Sequence, residues 1–245
     1  MLAITDLQVS IESKKKILLG VDLVIPNGEI HLLVGKNGSG KSSLIQTVIG
    51  NPVYQVENGT LFYNDTNLSE LAIHERALNG IFASFQNPIE LEGVNLAVFL
   101  RTILNKHKMI RGESELSGKN FLILFKSILA RLGLSDDFVK RNVGEGMSGG
   151  EKKLCQMLEL LIIDPKLCLL DEIDSGLDID KLKTVQNIIE GERKSDRRWL
   201  IVTHHFQNWV DFAVDKVHII EQGKIVRSGT RELLSQLQSN GFIYD

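Results

Sequence analysis

The sequence predicts an α/β fold, in which helices connect the strands of a parallel sheet. The first observation is an almost wholly apolar run, Ile30–Val34, which ends at a glycine and precedes a helical pattern. The second is the return of short apolar runs at residues 167–170, 199–202 and 217–220, with helical spacing at 181–189. The third is a helical stretch between these two parts, which indicates a lobe inserted into the core.

The first 28 residues predict two strands and a turn. Leu7, Val9 and Ile11 alternate with polar residues, as in a strand that has one buried face. A second apolar run at Val21–Ile25 ends at Pro26-Asn27-Gly28, a sequence that is typical of a turn. We therefore expect two strands before the buried one.

The middle of the chain has helical spacing at residues 95–108 and 120–132, separated by the polar segment Arg111–Glu115. The sequence shows no internal repeat and no segment of low complexity. We expect a single domain over all 245 residues, with an inserted helical subdomain at about 88–165. The core would then consist of residues 1–87 and 166–245.

The composition argues against several classes of protein. The formal net charge is −3, so there is no basic excess for a nucleic-acid partner. The apolar runs are far shorter than a membrane span, and we expect no direct membrane insertion. No signal peptide is apparent, so we expect a cytoplasmic protein.

Cys155 and Cys168 lie in apolar patterns and predict buried small side chains rather than a metal or redox site.

A glycine-rich segment after the buried strand carries the complete phosphate-binding pattern G-x-x-x-x-G-K-[ST]. Glycines let successive backbone N–H groups turn towards an anion. The next helix, expected at about 41–49 with Gly50 as its C-cap, adds partial positive charge at its N-terminus. Lys41 would reach the β- and γ-phosphates, and Ser42 would ligate Mg²⁺. The candidate nucleotide-binding residues here are Gly35, Lys36, Asn37, Gly38, Ser39, Gly40, Lys41, Ser42 and Ser43.

Two carboxylates, Asp171 and Glu172, follow the apolar run Leu167–Leu170. Open α/β sheets bind their ligands beyond the carboxyl ends of the strands, so we expect both side chains to face the phosphates. Asp171 is the candidate Mg²⁺ ligand, directly or through water. Glu172 is the candidate catalytic residue that polarises the attacking water.

The segment Ser148-Gly149-Gly150-Glu151 precedes an amphipathic helix. Ser148 and Glu151 fit a capping box, in which each side chain satisfies a backbone N–H group of the first turn. Two consecutive glycines weaken a helix start, and their presence favours a ligand that approaches the backbone closely. We therefore interpret Ser148, Gly149 and Gly150 as a second contact for the γ-phosphate.

Together these segments resemble the ATP-binding-cassette (ABC) family of ATPases. Gly35–Ser42 is similar to the Walker A loop of that family, and Leu167–Glu172 is similar to its Walker B strand with the catalytic glutamate. Four further matches follow the order of the family. They are Gln86 of the Q-loop, the signature-like Met147-Ser148-Gly149-Gly150-Glu151, the D-loop-like Ser175-Gly176-Leu177-Asp178, and the switch histidine His204.

The resemblance implies an ABC-ATPase nucleotide-binding domain with a P-loop parallel-sheet core, an N-terminal antiparallel β subdomain and the inserted α-helical subdomain. It implies ATP and Mg²⁺ as cofactors, with Gln86 touching Mg²⁺ and His204 sensing the γ-phosphate. The candidate catalytic residues are then Glu172, His204, Lys41 and Gln86. In this family the phosphate loop of one domain faces the signature segment of another. We therefore expect an ATP-dependent head-to-tail dimer with a second copy or a related partner.

Within the family, three segments are similar to the SufC subfamily, the ATPases of the SUF iron–sulfur cluster assembly machinery. They are Phe85–Glu90, Ser148–Lys153 and Asp171–Asp180, and Asp174 with Ile179-Asp180 separates the last from transporter ATPases. The resemblance implies scaffold partners of the SufB and SufD type, and a location in the cytoplasm or in an organelle. Four positions depart from the subfamily pattern and indicate a divergent member: Gly144, Met147, Leu154 and Ile173.

Other functions stay open at this point. One is the ATP-binding subunit of an ABC membrane transporter, for which another chain would supply the membrane part. A second is a nucleotide-gated assembly module with incidental hydrolysis, and a third is a DNA-linked cassette ATPase, against which the negative charge counts. A GTPase is not expected, because the sequence has no NKxD motif for guanine. Lys152 and Lys153 fit either a phosphate or partner contact or a solvated helix face.

Overall fold

The computed structural model describes residues 1–11, 15–86 and 88–240. By their internal contacts these residues form two compact units. The predicted helical subdomain ended at about residue 165. In the structure the later segment Gly176–Gly191 also groups with the helical residues. The core unit is the described part of Met1–Phe85, Lys166–Ser175 and Glu192–Asp245, and the helical unit is the described part of Gln86–Pro165 and Gly176–Gly191.

The strands and helices have the following bounds. In chain order, the strands are β1 (Leu2–Ile11), β2 (Lys15–Ile25), β3 (Ile30–Val34), β4 (Gln55–Tyr63), β5 (Thr66–Asn67), β6 (Ile81–Ser84), β7 (Leu91–Asn95), β8 (Asn142–Val143), β9 (Leu167–Asp171), β10 (Arg198–Thr203), β11 (Lys216–Glu221) and β12 (Lys224–Gly229). The helices are α1 (Lys41–Ile49), α2 (Ile73–Leu78), α3 (Leu96–Ile110), α4 (Gly118–Arg131), α5 (Gly149–Ile163), α6 (Ile179–Gly191) and α7 (Glu232–Asn240).

The larger sheet of the core unit has six strands in the order β12-β11-β3-β10-β9-β6. Its strands are parallel except for the edge pair β11–β12. Strands β3, β9 and β10 are buried along their whole length, as their continuous apolar sequences require. Val34 pairs with Thr203, and Asp171 pairs with Val202, so the carboxyl ends of these three strands lie side by side.

The second sheet of the core unit is antiparallel and has the order β2-β1-β4-β5. Together the two sheets confirm the predicted fold class, a parallel α/β core with an N-terminal antiparallel β subdomain. Leu44, Ile45 and Val48 of α1 are buried in the core cluster, and each such side chain contributes roughly 1.5–3 kcal/mol through its removal from water. The helix ends at Gly50, whose φ of 85° is the left-handed C-cap that the sequence predicts.

The helical unit contains α3 to α6 and the short strand pair β7–β8. Its interior is built from one apolar stripe of each helix, including Leu100 of α3 and Phe125 of α4. Cys155 of α5 is buried, and so is Cys168 in the core unit, as predicted. None of the helices in the described residues is long and apolar enough to cross a membrane.

Two buried histidines, His31 on β3 and His218 on β11, link neighbouring strands of the larger sheet. His31 Nε2 lies 2.7 Å from a carboxylate oxygen of Glu29, His218 Nε2 lies 3.0 Å from His31 Nδ1, and Ser228 Oγ lies 2.7 Å from His218 Nδ1. Because a carboxylate accepts hydrogen bonds, this chain is satisfied when both imidazoles carry their proton on Nε2. Burial lowers the pKa of both histidines, that of His218 to about 3.

Candidate functional site

The glycine-rich loop connects the end of β3 to the start of α1. Gly40 is the N-cap of α1 with a φ of 108°, and no side chain caps the first turn. A Cβ added at Gly35 would lie 2.4 Å from the carbonyl oxygen of Ile220, so this position requires glycine. The first amides of α1 are therefore left for a ligand, and the dipole of the helix favours an anion there.

Lys41 is the first residue of α1, and its side chain is held against the loop. Its Nζ donates to the carbonyl oxygens of Gly35 at 2.7 Å and Lys36 at 2.9 Å. Burial lowers the pKa of Lys41, and the nearby carboxylates of Glu172 and Asp171 oppose that shift. Within the described residues this buried ammonium donates to neutral carbonyls, and it would gain from a phosphate anion.

Ser42 and Asp171 meet at the ends of α1 and β9. Ser42 Oγ donates to Asp171 Oδ1 at 3.0 Å, and the backbone N–H of Asp171 donates to Ser84 Oγ at 3.0 Å. Hydroxyl and carboxylate oxygens are the ligand types that Mg²⁺ prefers. The pair therefore fits a magnesium site. Ser43 follows on α1, where its carbonyl accepts the Thr47 hydroxyl.

Ser39 supplies an independent indication of a ligand at the loop. Its hydroxyl oxygen is buried and has no hydrogen-bond partner within the described part of the chain. A buried hydroxyl without a partner is costly, and a phosphate oxygen would satisfy it. The neighbouring Lys36, Asn37 and Gly38 are exposed, so the loop remains accessible from solvent.

Glu172 and His204 form a pair at the ends of β9 and β10. His204 Nδ1 donates to Glu172 Oε1 at 2.7 Å, and the Glu172 side chain is buried. Glu172 has a φ of 49°, a left-handed conformation that is uncommon for residues other than glycine. Its backbone N–H donates to the carbonyl of Val202 at 2.8 Å, which holds this conformation against β10. Such local strain is typical of functional sites.

The remaining candidate residues belong to the helical unit. Gln86 is an exposed residue at its start, and Asn87 lies outside the described residues. Ser148 caps α5, since its Oγ accepts from Glu151 N–H at 3.3 Å while its own N–H donates to Glu151 Oε2 at 2.8 Å. This confirms the predicted capping box. A Cβ would meet nothing within 4 Å at Gly149, whereas at Gly150 it would lie 3.1 Å from Cδ of Lys181.

The two lysines that follow the glycine pair differ in their surroundings. Lys152 donates to a carboxylate oxygen of Glu90 at 2.5 Å. Lys153 is only 5% exposed, which does not fit the solvated helix face, one of the two interpretations that the sequence left open for it. Sequence reasoning also missed Ser84, whose hydroxyl accepts from the N–H of Asp171, because the short strand β6 that carries it was not predicted. The apolar run Ile81–Ala83 was the available signal.

The geometry thus brings the phosphate loop, Asp171, Glu172 and His204 together in the core unit, and it places Gln86 and Ser148–Gly150 in the helical unit. A family model described as ABC transporter matches residues 18–175 of this chain. The chain belongs to the ABC transporter family. As an ABC ATPase it binds ATP.

Similar proteins extend this assignment along the whole chain. "Iron-sulfur cluster assembly protein SufC" of Plasmodium berghei (strain Anka) is 40% identical over 99% of this chain and 67% of its own length. "Probable ATP-dependent transporter SufC" of Escherichia coli (strain K12) is 42% identical over 99% of this chain and 97% of its own length. A solved dimeric structure of an ATP-binding cassette, in a post-hydrolysis state with ADP and Pi, has a TM-score of 0.80 at 16% identity and covers 94% of this chain and 99% of its own. At that identity the last similarity shows the fold alone.

Proposed function

We propose that this ABC ATPase binds and hydrolyses Mg–ATP to drive iron–sulfur cluster assembly on a scaffold of the SufB/SufD type. The observation that carries the proposal is the 40% identity, over 99% of the chain, with a protein named for iron–sulfur cluster assembly. Asp174 and Ile179-Asp180 support it, because they stand in a segment that differs in transporter ATPases.

In the proposed site the loop holds the nucleotide phosphates. The uncapped amides of α1 provide partial positive charge, and Lys41 exchanges two carbonyl partners for phosphate oxygens. The Ser39 hydroxyl gains the acceptor or donor that it lacks within the described residues. The residues from Gly35 to Ser43 therefore act as a preformed anion cradle.

Ser42, Asp171 and Gln86 would hold Mg²⁺. The two oxygens from α1 and β9 already lie 3.0 Å apart, and Ser84 fixes the backbone of Asp171. When bound, the ion would neutralise negative charge on the phosphates. The contribution of the protein is to keep these oxygen ligands in place.

Glu172 polarises the attacking water in this proposal, and His204 positions the γ-phosphate. Their direct hydrogen bond of 2.7 Å makes the two groups one unit, so the orientation of either depends on the other. General-base assistance of this kind contributes roughly 10²–10⁴-fold to the rate of a hydrolysis. Lys41 adds the positive charge that the transferring phosphoryl group requires.

A second copy would complete the site with Ser148, Gly149 and Gly150. Ser148 and Gly149 are exposed, and the space beside Gly149 is open, so a ligand can approach this backbone closely. We propose a head-to-tail dimer that forms when ATP binds, with the predicted core and helical subdomains both contributing to its contacts. The proposed location is the cytoplasm or an organelle, where scaffold proteins would be accessible.

The test is affinity purification of the chain from its own cells without detergent. Wild type is compared with Glu172→Gln, which is expected to retain ATP and prolong the dimer, and with Glu190→Gln as a matched control. Glu190 is an exposed carboxylate on α6. Recovery of scaffold proteins with iron–sulfur assembly character, enriched with Glu172→Gln, is the expected result.

A second candidate function is that of the ATP-binding subunit of a membrane transporter. The observation that favours it is the name of the Escherichia coli relative, a probable ATP-dependent transporter. The same purification separates the two functions. Recovery only with a membrane-spanning protein, and only after detergent is added, would support the transporter subunit and contradict the assembly proposal.

A further inference from the structure

Asp174 is a buried carboxylate two residues after Glu172, and its interactions point towards the neighbouring strand end. Its side chain is only 3% exposed. One oxygen, Oδ2, accepts three hydrogen bonds: from Thr203 Oγ1 at 2.8 Å, from Trp209 Nε1 at 3.0 Å and from Asn208 Nδ2 at 3.1 Å. Three donors on one oxygen offset much of the cost of burying a charge. The second oxygen, Oδ1, has no partner among the described residues.

The link to the catalytic site is Thr203, the last residue of β10. Its hydroxyl donates to Asp174 Oδ2 and accepts from the backbone N–H of His205 at 2.8 Å. The hydroxyl therefore ties the residues on both sides of His204 to one buried carboxylate. A hydroxyl that accepts and donates at once is directional, so the backbone at residues 203–205 has little freedom to rotate.

His204 is the partly exposed member of this group, and its ring packs against that of His205 with the two centroids 3.8 Å apart. Its side chain is 27% exposed, whereas Thr203 and Trp209 are fully buried. The imidazole has a direct hydrogen bond to Glu172. The backbone that carries it is held by Asp174 through the Thr203 hydroxyl. Glu172 thus contacts this ring directly, Asp174 supports the backbone that carries it, and the ring of His205 packs beside it.

We propose that Asp174 is a positioning residue for ATP hydrolysis, which acts through Thr203 to hold His204 against Glu172. The inference rests on the role proposed above for His204. It differs from a purely structural role, in which Asp174 would stabilise the core unit without affecting the histidine. The side-chain hydrogen bonds of Asp174 in the described residues go to Thr203, Asn208 and Trp209, so we expect it to affect the chemical step rather than the binding of ATP.

The primary test is Asp174→Asn, which is nearly isosteric and keeps an oxygen acceptor but loses the charge. Charge-assisted hydrogen bonds are about twice as strong as neutral ones, so we expect kcat to fall by roughly 5–10-fold while KM for Mg–ATP stays within about twofold. Thr203→Val removes the connecting hydroxyl and is expected to have a similar effect. Thr203→Ser keeps that hydroxyl and should restore kcat to within about twofold of wild type.

A matched control is Asp215→Asn. Asp215 also accepts several hydrogen bonds, from Arg193 and from the N–H of Ile30. It lies beside the first residue of β3, whereas the phosphate loop follows the last residue of that strand. This variant is expected to lower thermal stability and to leave kcat unchanged. If the loss of kcat in both Asp215→Asn and Asp174→Asn simply follows the loss of thermal stability in each variant, the proposal is overturned.

The decisive measurement is a double-mutant cycle in single-turnover experiments with enzyme in excess, which resolve slow hydrolysis. Asp174→Asn should slow hydrolysis in the wild-type background and have no further effect in the His204→Ala background. An equal loss in both backgrounds would overturn the positioning role while leaving the proposed catalytic site intact. If His204→Ala alone leaves hydrolysis unchanged, the role of His204 itself fails, and this inference fails with it.

Discussion

Two helix N-termini carry the segments expected to contact phosphate, and they are built in different ways. At α1 the N-cap is Gly40, no side chain caps the first turn, and the adjoining Ser39 hydroxyl lacks a partner within the described residues. At α5 the N-cap is Ser148, which shares a reciprocal capping box with Glu151. The first terminus is therefore prepared for an anion, whereas the second is stable by itself and still exposed to solvent.

The difference between the two termini indicates which of them is expected to carry the groups that act in ATP hydrolysis. The core unit holds Lys41, Asp171, Glu172 and His204 in fixed contacts at the ends of three buried strands. The start of α5 offers a short exposed backbone segment at Ser148 and Gly149. Substitutions near α1 should therefore affect ATP hydrolysis strongly. Substitutions near the start of α5 should affect it through the contact that this segment is proposed to make with the site of a second copy.

The largest expected effect is that of Glu172→Gln in the core unit. Removing the proposed general base should lower turnover by roughly 10²–10⁴-fold, while ATP binding persists because the phosphate loop is unchanged. Phosphate release and equilibrium ATP binding measure the two quantities. Near-normal turnover would contradict the assignment of the catalytic residue, and Glu190→Gln controls for the loss of one negative charge.

The next effect is that of Gly35→Ala at the base of the α1 loop. The new methyl group would lie 2.4 Å from the carbonyl oxygen of Ile220, a backbone atom that cannot move without shifting β11. We expect a loss of roughly 1–3 kcal/mol in unfolding free energy together with weaker ATP binding. Chemical denaturation and ATP titration measure both. Unchanged ATP affinity would show that the loop tolerates a side chain there.

A smaller effect is expected for Ser148→Ala at the α5 terminus. Loss of the N-cap should lower the unfolding free energy by about 1 kcal/mol. Ser148→Thr keeps the cap and serves as the matched control. If Ser148 also contacts the γ-phosphate in a second copy, turnover falls in the alanine variant under conditions in which the protein remains folded. Turnover that follows stability alone would restrict Ser148 to its capping role.

The smallest effect on stability is expected for Gly150→Ala. The three atoms nearest to the added methyl group all belong to the flexible side chain of Lys181, and alanine favours a helix over glycine by roughly 0.5–1 kcal/mol. Stability should therefore stay the same or increase slightly. A fall in turnover in this stable variant would identify the close approach of a ligand, and Gly191→Ala, at a position with open space, is the control.

The sequence predicted the elements around the phosphate loop because buried parallel strands have continuous apolar sequences. β3 and α1 have the predicted bounds, β9 is longer than predicted by one residue, and β10 is longer by one residue at each end. β4 was missed because its first six residues are exposed and give no alternation. The roles of individual residues in ATP chemistry stay predictions, since they depend on ligands and on a second copy.

Two features of the site could not be predicted because they depend on strand register. The bond from the Asp171 backbone to Ser84 requires the pairing of β6 with β9, and the bond from Thr203 to Asp174 requires β10 to lie beside β9. A parallel sheet joins segments that are distant in sequence, and local patterns do not specify which residues become neighbours.

The hydrogen-bond chain from Ser228 through His218 and His31 to Glu29 makes the larger sheet sensitive to acid. A proton added to His31 must go on Nδ1, where it would face the N–H group of His218. An unfolded histidine takes up its proton near pH 6.5, whereas His218 in the fold does so at about 3. Between these values the unfolded chain binds more protons, so stability falls by up to roughly 1.4 kcal/mol per pH unit as the solution is acidified. Denaturant unfolding measured at about pH 7 and pH 5 should therefore show a larger decrease in unfolding free energy for the native chain than for His218→Gln.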